Sequence, residues 1–443
     1  MLRVNMAEGP ALRHGYYWEK TMTVPERDKS ILRRLAAQWA EIAASPIHEE
    51  RAGMWGRLNR LERVKPMVLI DEIPWHEMNV DDELTLLTRD PFYRTQERQL
   101  RRTIYKWRHM PCDMTVAPFF CCPLVVHDTG FGIDEIVDIA KTDETSDVVS
   151  RRFHLQIQDE DDLLKIQMPQ VTYDAEATEQ NYQRLVDLFG DILPIEKTGA
   201  PGFWFAPWDE LIRWWGVQEA MMDLIMRPSL VHQAMDRLVS AYLYRLDQYE
   251  AQNLLALNNT GRNNIRTRIG SGGLGYTDEL PQPAYDPQHA RAIDLWGCAT
   301  AQIFSDVSPA MHEEFALQYE RRWLERFGLT YYGCCEPLHL KIDMLKSVSN
   351  LRKVSMSPWV DMDIAVKNVG DRYVFSRKPN PAIFAEDVWN LARARESLRR
   401  DLEKARGGCV VEVIMKDIST VRYRPQRLWE WAEMAMEVTA EFA

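Results

Sequence analysis

The chain has 443 residues, 46% of them apolar, and a formal net charge of −12. It is long enough to bury a large core, as one large barrel with additions or as two or three domains. The acidic balance argues against a nucleic-acid partner, and no apolar run reaches the ~18 residues that span a bilayer.

The opening Met1-Leu2-Arg3-Val4-Asn5-Met6-Ala7-Glu8 has no apolar signal region, and the seven cysteines are an odd number in a long chain. Both point to a reducing, cytoplasmic compartment with mostly free thiols. Residues 24–64 read as helices, with Ile31, Leu32, Leu35, Trp39 and Ile42 at helical spacing after a start at Thr23-Val24-Pro25. Lys65-Pro66 breaks that pattern. Met67-Val68-Leu69-Ile70 then reads as a buried strand that runs into Asp71-Glu72-Ile73-Pro74-Trp75-His76-Glu77. A charged helix over 95–107 follows; its basic cluster sits beside Glu97 and reads as a solvated face, as does Arg399-Arg400 beside Asp401.

Residues 114–120 are predicted as a strand, and about 121–175, with the acid run Asp159-Glu160-Asp161-Asp162, as an inserted segment. From 178 onward helix and strand alternate. Strands are predicted at 202–208, 254–259, 298–304, 327–331, 351–356, 371–376 and 409–415, and helices at 210–226, 230–252, 314–327, 343–349, 387–405 and 425–441. Strands alternating with long helices argue a parallel sheet. The expected fold is α/β: a (β/α)8 TIM-type barrel over 65–443, with a helical N-terminal extension over 1–64 and the insertion.

Such barrels place their chemistry at the carboxyl ends of the strands. The densest site signal there is Tyr332-Gly333-Cys334-Cys335-Glu336-Pro337-Leu338-His339. Soft thiolates beside a carboxylate suit a zinc-type ion or a reactive sulfur site, and a metal would need further donors. Glu72, His76, Glu279, His312, Glu313 and Asp417 are available, while buried thiols packing a strand end are the plainer explanation. Glu72, Trp75 and His76 follow the first strand, and Lys416-Asp417 the last. Arg377 and Lys378 would hold a carboxylate or phosphate of a ligand, or pair with surface acids. Cys121-Cys122 reads as structural burial, because adjacent cysteines seldom bridge. The glycine-rich stretch 270–275 lacks the Lys-Ser/Thr of a phosphate loop. It reads as a loop lining the cleft, with Asp278 or Glu279 facing inward. Trp204, Trp208, Trp214 and Trp215 read as core packing.

Four stretches resemble the uroporphyrinogen decarboxylase-like superfamily, in the divergent branch related to corrinoid-dependent methyltransferases. They are Val68 to Trp75, Gly272-Gly273-Leu274-Gly275-Tyr276-Thr277-Asp278-Glu279-Leu280-Pro281, Tyr332 to His339, and Lys378-Pro379-Asn380-Pro381. The resemblance spans about 60 to 440 and implies a barrel with its site in the mouth, and a homodimer. Porphyrinogen decarboxylases carry an arginine-rich motif after the first strand, where this chain has Asp71-Glu72-Ile73-Pro74-Trp75-His76. The cobamide-dependent methyltransferases bind zinc with H-x-C and a later cysteine on the last strand. Cys335 matches the first cysteine, Gly333 replaces the histidine, and Lys416-Asp417 stands where the later cysteine would be.

The resemblance therefore implies methyl transfer from a small methylated compound, of methyl ether or methylamine type, to a corrinoid carried by a partner protein. Glu336, Glu72 and His339 are the expected catalytic groups. Cys335, Cys334 and Asp417 are the expected Zn2+ ligands, and Trp75, His76, Glu279, Tyr332, Arg377, Lys378 and Lys416 the substrate contacts. The alternatives are a lyase or decarboxylase acting on a small carboxylate without corrinoid, and a non-catalytic small-molecule-binding barrel.

Overall fold

The computed structural model describes residues 26–141, 149–260 and 268–443. Helices Glu26–Ala43 and Ile47–Asn59 come first. Ile31, Leu32, Leu35, Ala36 and Trp39 of the first are buried along one stripe, which seats the helix on the core. The strands are β1 (Met67–Ile70), β2 (Phe120–Pro123), β3 (Val126–Asp128), β4 (Val137–Ala140), β5 (Ser150–Phe153), β6 (Val171–Tyr173), β7 (Ile195–Thr198), β8 (Trp296–Ala299), β9 (Leu329–Tyr332), β10 (Leu351–Met356), β11 (Val374–Arg377) and β12 (Val410–Met415).

Six strands form one parallel sheet in the order β1-β12-β11-β10-β9-β8. β1, β8, β9, β11 and β12 are buried at every residue, as in a parallel sheet covered on both faces. The sheet is strongly curled. On a flat sheet β9 and β12, with β10 and β11 between them, would lie roughly 14 Å apart, more than a lysine and a cysteine can bridge. Yet the Nζ of Lys416, one residue past β12, is 3.4 Å from the sulfur of Cys334, two past β9.

On the open side of the curl, β2 pairs in parallel with β7 and Ala200 bridges Leu255. Asn258 bonds the backbones of Pro201 and Trp296, and Asp113 bonds Val68 of β1. These are isolated links. What the described residues display is a curled six-stranded parallel sheet with helices, a coarser result than the closed eight-stranded ring expected.

Several predicted elements changed. Segment 202–208 forms no strand; helix Pro207–Trp215 begins within it. Segment 254–259 contributes only the bridging residue Leu255, where Gly199 passes too close to the Leu254 carbonyl to carry a side chain. The helix expected over 210–226 breaks at Gly216, whose φ of +83° suits glycine, leaving Pro207–Trp215 and Val217–Met226. Segment 121–175 holds the antiparallel pairs β3–β6 and β4–β5.

The glycine-rich loop runs inside the curl. A Cβ on Gly272 would lie 2.5 Å from the Tyr331 ring and 2.7 Å from Glu412, and one on Gly273 would meet the Trp55 ring. The glycines are needed for that close approach, so the loop fills the sheet's interior instead of lining a cleft. Its acids face away: Asp278 pairs with Arg60 at 3.0 Å and Glu279 with Arg352 at 2.8 Å.

Glu412 holds this interior together. It accepts from Lys353 at 2.8 Å, Ser376 Oγ at 2.5 Å and the Gly273 N–H at 3.0 Å, and both Lys353 and Glu412 are fully buried. Removing one partner leaves an uncompensated buried charge. Glu412→Gln is expected to lower unfolding stability by about 3–5 kcal/mol in urea titration, and adding Lys353→Met to recover part of that loss.

Candidate active site at the strand carboxyl ends

After β9 the chain turns at Gly333, φ +97°. A side chain there would lie 2.5 Å from Leu338 and 3.0 Å from Ser355, so the position excludes a histidine by both torsion and space. The turn ends the strand alternation and brings two adjacent sulfurs to one side, with the Cys334 and Cys335 Sγ atoms 3.6 Å apart. Cys121 and Cys122, by contrast, stay within β2 and point to opposite faces.

Glu336 folds back onto its own loop. It accepts the Cys334 N–H at 2.8 Å and the Thr300 hydroxyl at 2.9 Å, and it is fully buried. It positions Cys334, and does not face the space beside the thiols.

Glu72 and Asp417, just past β1 and β12, both have positive φ, +52° and +58°. Non-glycine residues in that region are strained, and such strain gathers at functional sites. The turns aim both carboxyl groups at Lys416, and Asp417 also at the Cys335 thiol. Lys416 Nζ then lies 2.6 Å from Asp417 Oδ2, 3.4 Å from Cys334 Sγ, 3.8 Å from Cys335 Sγ and 3.5 Å from Glu72 Oε2. The Cys335 thiol donates to Asp417 at 3.4 Å, and the Asp417 N–H donates to Glu72 at 3.1 Å.

Burial pushes the Glu72 carboxyl up to about 7, aided by its neighbour Asp417 and only partly offset by Lys416. Burial also works on Asp417, but Lys416 and hydrogen bonds from Glu72 and Cys335 outweigh it and hold that carboxyl at about 2. The bond from Cys335 and the charge of Lys416 favour the Cys334 thiolate, while Cys335 is held in its thiol form. Lys378 also faces inward, donating to Tyr331 Oη at 2.5 Å and Ser376 Oγ at 2.6 Å, and burial lowers its amine to about 7.

Of the expected site residues, Glu72, Cys334, Cys335, Lys416 and Asp417 therefore meet, with Lys378 beneath them. The others are elsewhere. Arg377 points outward to Asp401 at 2.7 Å and the Ser357 carbonyl at 2.5 Å. Tyr332 also points outward, donating to Glu320 at 2.6 Å, with His312 Nε2 at 2.7 Å. Glu279 is in its ion pair with Arg352. His339 is half-buried beside helix Met362–Val369, its carbonyl held by Asn368. Trp75 lies under the Arg102 guanidinium at 4.8 Å, and His76 is 3.6 Å from Glu77. Glu77 accepts from Thr420 and Val421 at 2.7 and 2.6 Å, so it clamps the loop after β12.

Sequence reasoning missed Arg268, which pairs with Asp71 and carries its charge close to Glu72, Cys334 and Tyr331. Its place two residues before the glycine-rich loop was the available signal. A cavity of about 480 Å3 lies apart from this cluster, lined by Arg51, His109, Cys112, Trp429 and Glu433. Its thiol, Cys112, is pushed up to about 12 by burial and is inert at neutral pH.

The arrangement does not fit the expected zinc. The thiols and carboxylates converge on the Lys416 ammonium, which already supplies the cation among them, and Gly333 cannot be replaced by the missing histidine.

No protein-family model matches the chain, and no curated protein matches it. Among solved structures it is similar to a methyltransferase from Methanosarcina mazei, at a TM-score of 0.47 and 12% identity, over 88% of this chain and 98% of that one. No helix among the described residues is long and apolar enough to cross a membrane.

The raised Glu72 carboxyl has a consequence for stability. The folded protein keeps this proton after the unfolded chain has lost it, so the buried group weighs against folding as pH rises from its ordinary value through about 7. Glu72→Gln is expected to gain melting temperature over the wild type at about pH 8 and to show little difference at about pH 4, by differential scanning calorimetry.

Proposed function

We propose that this chain is a methyltransferase that moves a methyl group from a small methylated compound to the Co(I) of a corrinoid carried by a separate protein. The observation that carries the reading is the convergence of Glu72, Cys334, Cys335 and Asp417 on the Lys416 ammonium at the strand carboxyl ends. The motif resemblance supplies the reaction class. In the same proposal, the curled sheet and its β2–β7 pair form a (β/α)8-type barrel, and the corrinoid protein docks over its mouth.

In such a transfer the Co(I) electron pair forms the new bond to the methyl carbon. The old bond breaks with its pair left on the oxygen or nitrogen, which then needs a proton or a nearby cation. Glu72, with its carboxyl at about 7, holds a proton near neutrality and delivers it to the leaving atom. Lys416 steadies the negative charge before that proton arrives. Asp417, held ionised, keeps Lys416 charged and accepts from Cys335, so the more exposed thiol is fixed against the same space. Water then reprotonates Glu72.

A lyase acting on a small carboxylate is the second reading, and Lys378 is the observation in its favour. A buried amine at about 7 is largely uncharged at slightly alkaline pH and able to attack a carbonyl.

Mixing the protein with a reduced corrinoid protein and a panel of methylated compounds, followed by absorbance, tests methyl transfer. Glu72→Gln is expected to slow it about 100-fold, the usual worth of a general acid, and Cys335→Ala, which removes only a hydrogen bond to Asp417, to slow it less. Turnover of carboxylates without corrinoid protein, lost in Lys378→Met, would replace this reading with the lyase.

A further inference from the structure

Arg268 is the charged group of the strand-end cluster that the proposed chemistry leaves unused. It is bridged to Leu274, on the far arm of the glycine-rich loop, and Gly270 behind it packs against Tyr331 and Cys298. The guanidinium is thereby fixed over the interior. Burial weighs against its charge, and Asp71, Glu72, Cys334 and Tyr331 outweigh that effect. Its ion partner among the described residues is Asp71, reached through Nη1, and 29% of the side chain is exposed. A flat fork of five donors matches a carboxylate two bonds at a time, and here the Nε and Nη2 edge has no hydrogen-bond partner among the described residues.

Around it Lys106, Lys378 and Lys416 stand beside Asp71, Glu72, Asp417 and the Cys334 sulfur, which leans toward thiolate, so the charges of the cluster nearly balance. Glu412, the remaining interior acid, is matched by Lys353 at 2.8 Å. Glu72 and Lys378 both sit at about 7, and a carboxylate bound beside them is accommodated by protonation of the two. Arg377, expected from sequence to hold such an anion, is turned away toward Asp401.

We propose that Arg268 binds the carboxylate of the substrate, so that the methyl donors taken here are small methylated carboxylates instead of uncharged ethers or amines. Asp71 is a positioning residue that orients the fork. The word donor rests on the methyl-transfer reading, whereas the carboxylate site rests on Arg268 alone.

Isothermal titration with two matched pairs, 2-methoxybenzoate against anisole and glycine betaine against choline, tests this. The wild type is expected to bind a carboxylate at least about tenfold more tightly than its partner, Arg268→Gln to lose that preference, and Arg268→Lys to keep part of it. Equal affinity within both pairs, no carboxylate binding at millimolar concentration, or an unchanged preference in Arg268→Gln overturns the proposal. If Arg268→Gln does not fold, the wild type is treated with phenylglyoxal and Arg268 modification is read by peptide mass spectrometry. Protection by 2-methoxybenzoate and not by anisole supports the site, and equal modification in both overturns it. Methyl transfer from anisole alone would sink the Arg268 site and leave methyl transfer standing. Arg268-dependent carboxylate binding with no methyl transfer would do the reverse.

Discussion

Glu412 joins the parts of this molecule that no single strand could hold together. Its carboxylate accepts from Lys353 of β10, Ser376 of β11 and the Gly273 backbone, all in an interior without water exposure. A charge so placed must find partners on every side. That requirement pulls β10, β11, β12 and the glycine-rich loop into one curl. The contacts continue upward: Lys378 bonds Ser376 and Tyr331, Tyr331 bonds Ser271, and Ser271 reaches the Gly333 carbonyl beneath the thiol pair. The strand-end site therefore stands on a hydrogen-bonded column that begins at one buried ion pair.

At the top of the column the same constraint takes another form. Two thiols and two carboxylates would repel if all were ionised, and Lys416 lies among them. Its charge separates their behaviour: Asp417 stays ionised, Cys334 leans toward thiolate, and Glu72, where burial outweighs the lysine, keeps its proton to about 7. Groups of like type driven to different protonation states are what acid–base chemistry requires. The lysine also explains why the zinc expected from family resemblance does not suit the site, since a divalent ion would face an ammonium within the same shell.

Much of the fold was legible. β1 and β12 coincide with apolar runs, β10 falls on its predicted segment, and Glu72, Cys334, Cys335, Lys416 and Asp417 were singled out as strand-end residues. Facing was not legible. Tyr331 and Tyr332 are neighbours, yet one supports the thiol loop and the other bonds Glu320 in the helical layer. Arg377 and Lys378 divide the same way, between Asp401 outside and Ser376 inside. A one-residue alternation assigns opposite faces, and only the packed sheet says which face is the interior. The glycine-rich stretch misled for a related reason: its composition announces close approach, but not to what.

By itself the sequence determined the parallel α/β character, through apolar runs separated by amphipathic helices, and the chemical types available at each strand end. Tertiary structure alone decided which of those groups share a space. Glu72, Cys334 and Lys416 lie hundreds of positions apart or on strands that are not neighbours, and only curvature brings them within bonding range. It also chose Arg268 over Arg377 as the arginine of the strand-end cluster, because the direction of a side chain follows from the curl and the loop that carries it, and local sequence does not encode either one.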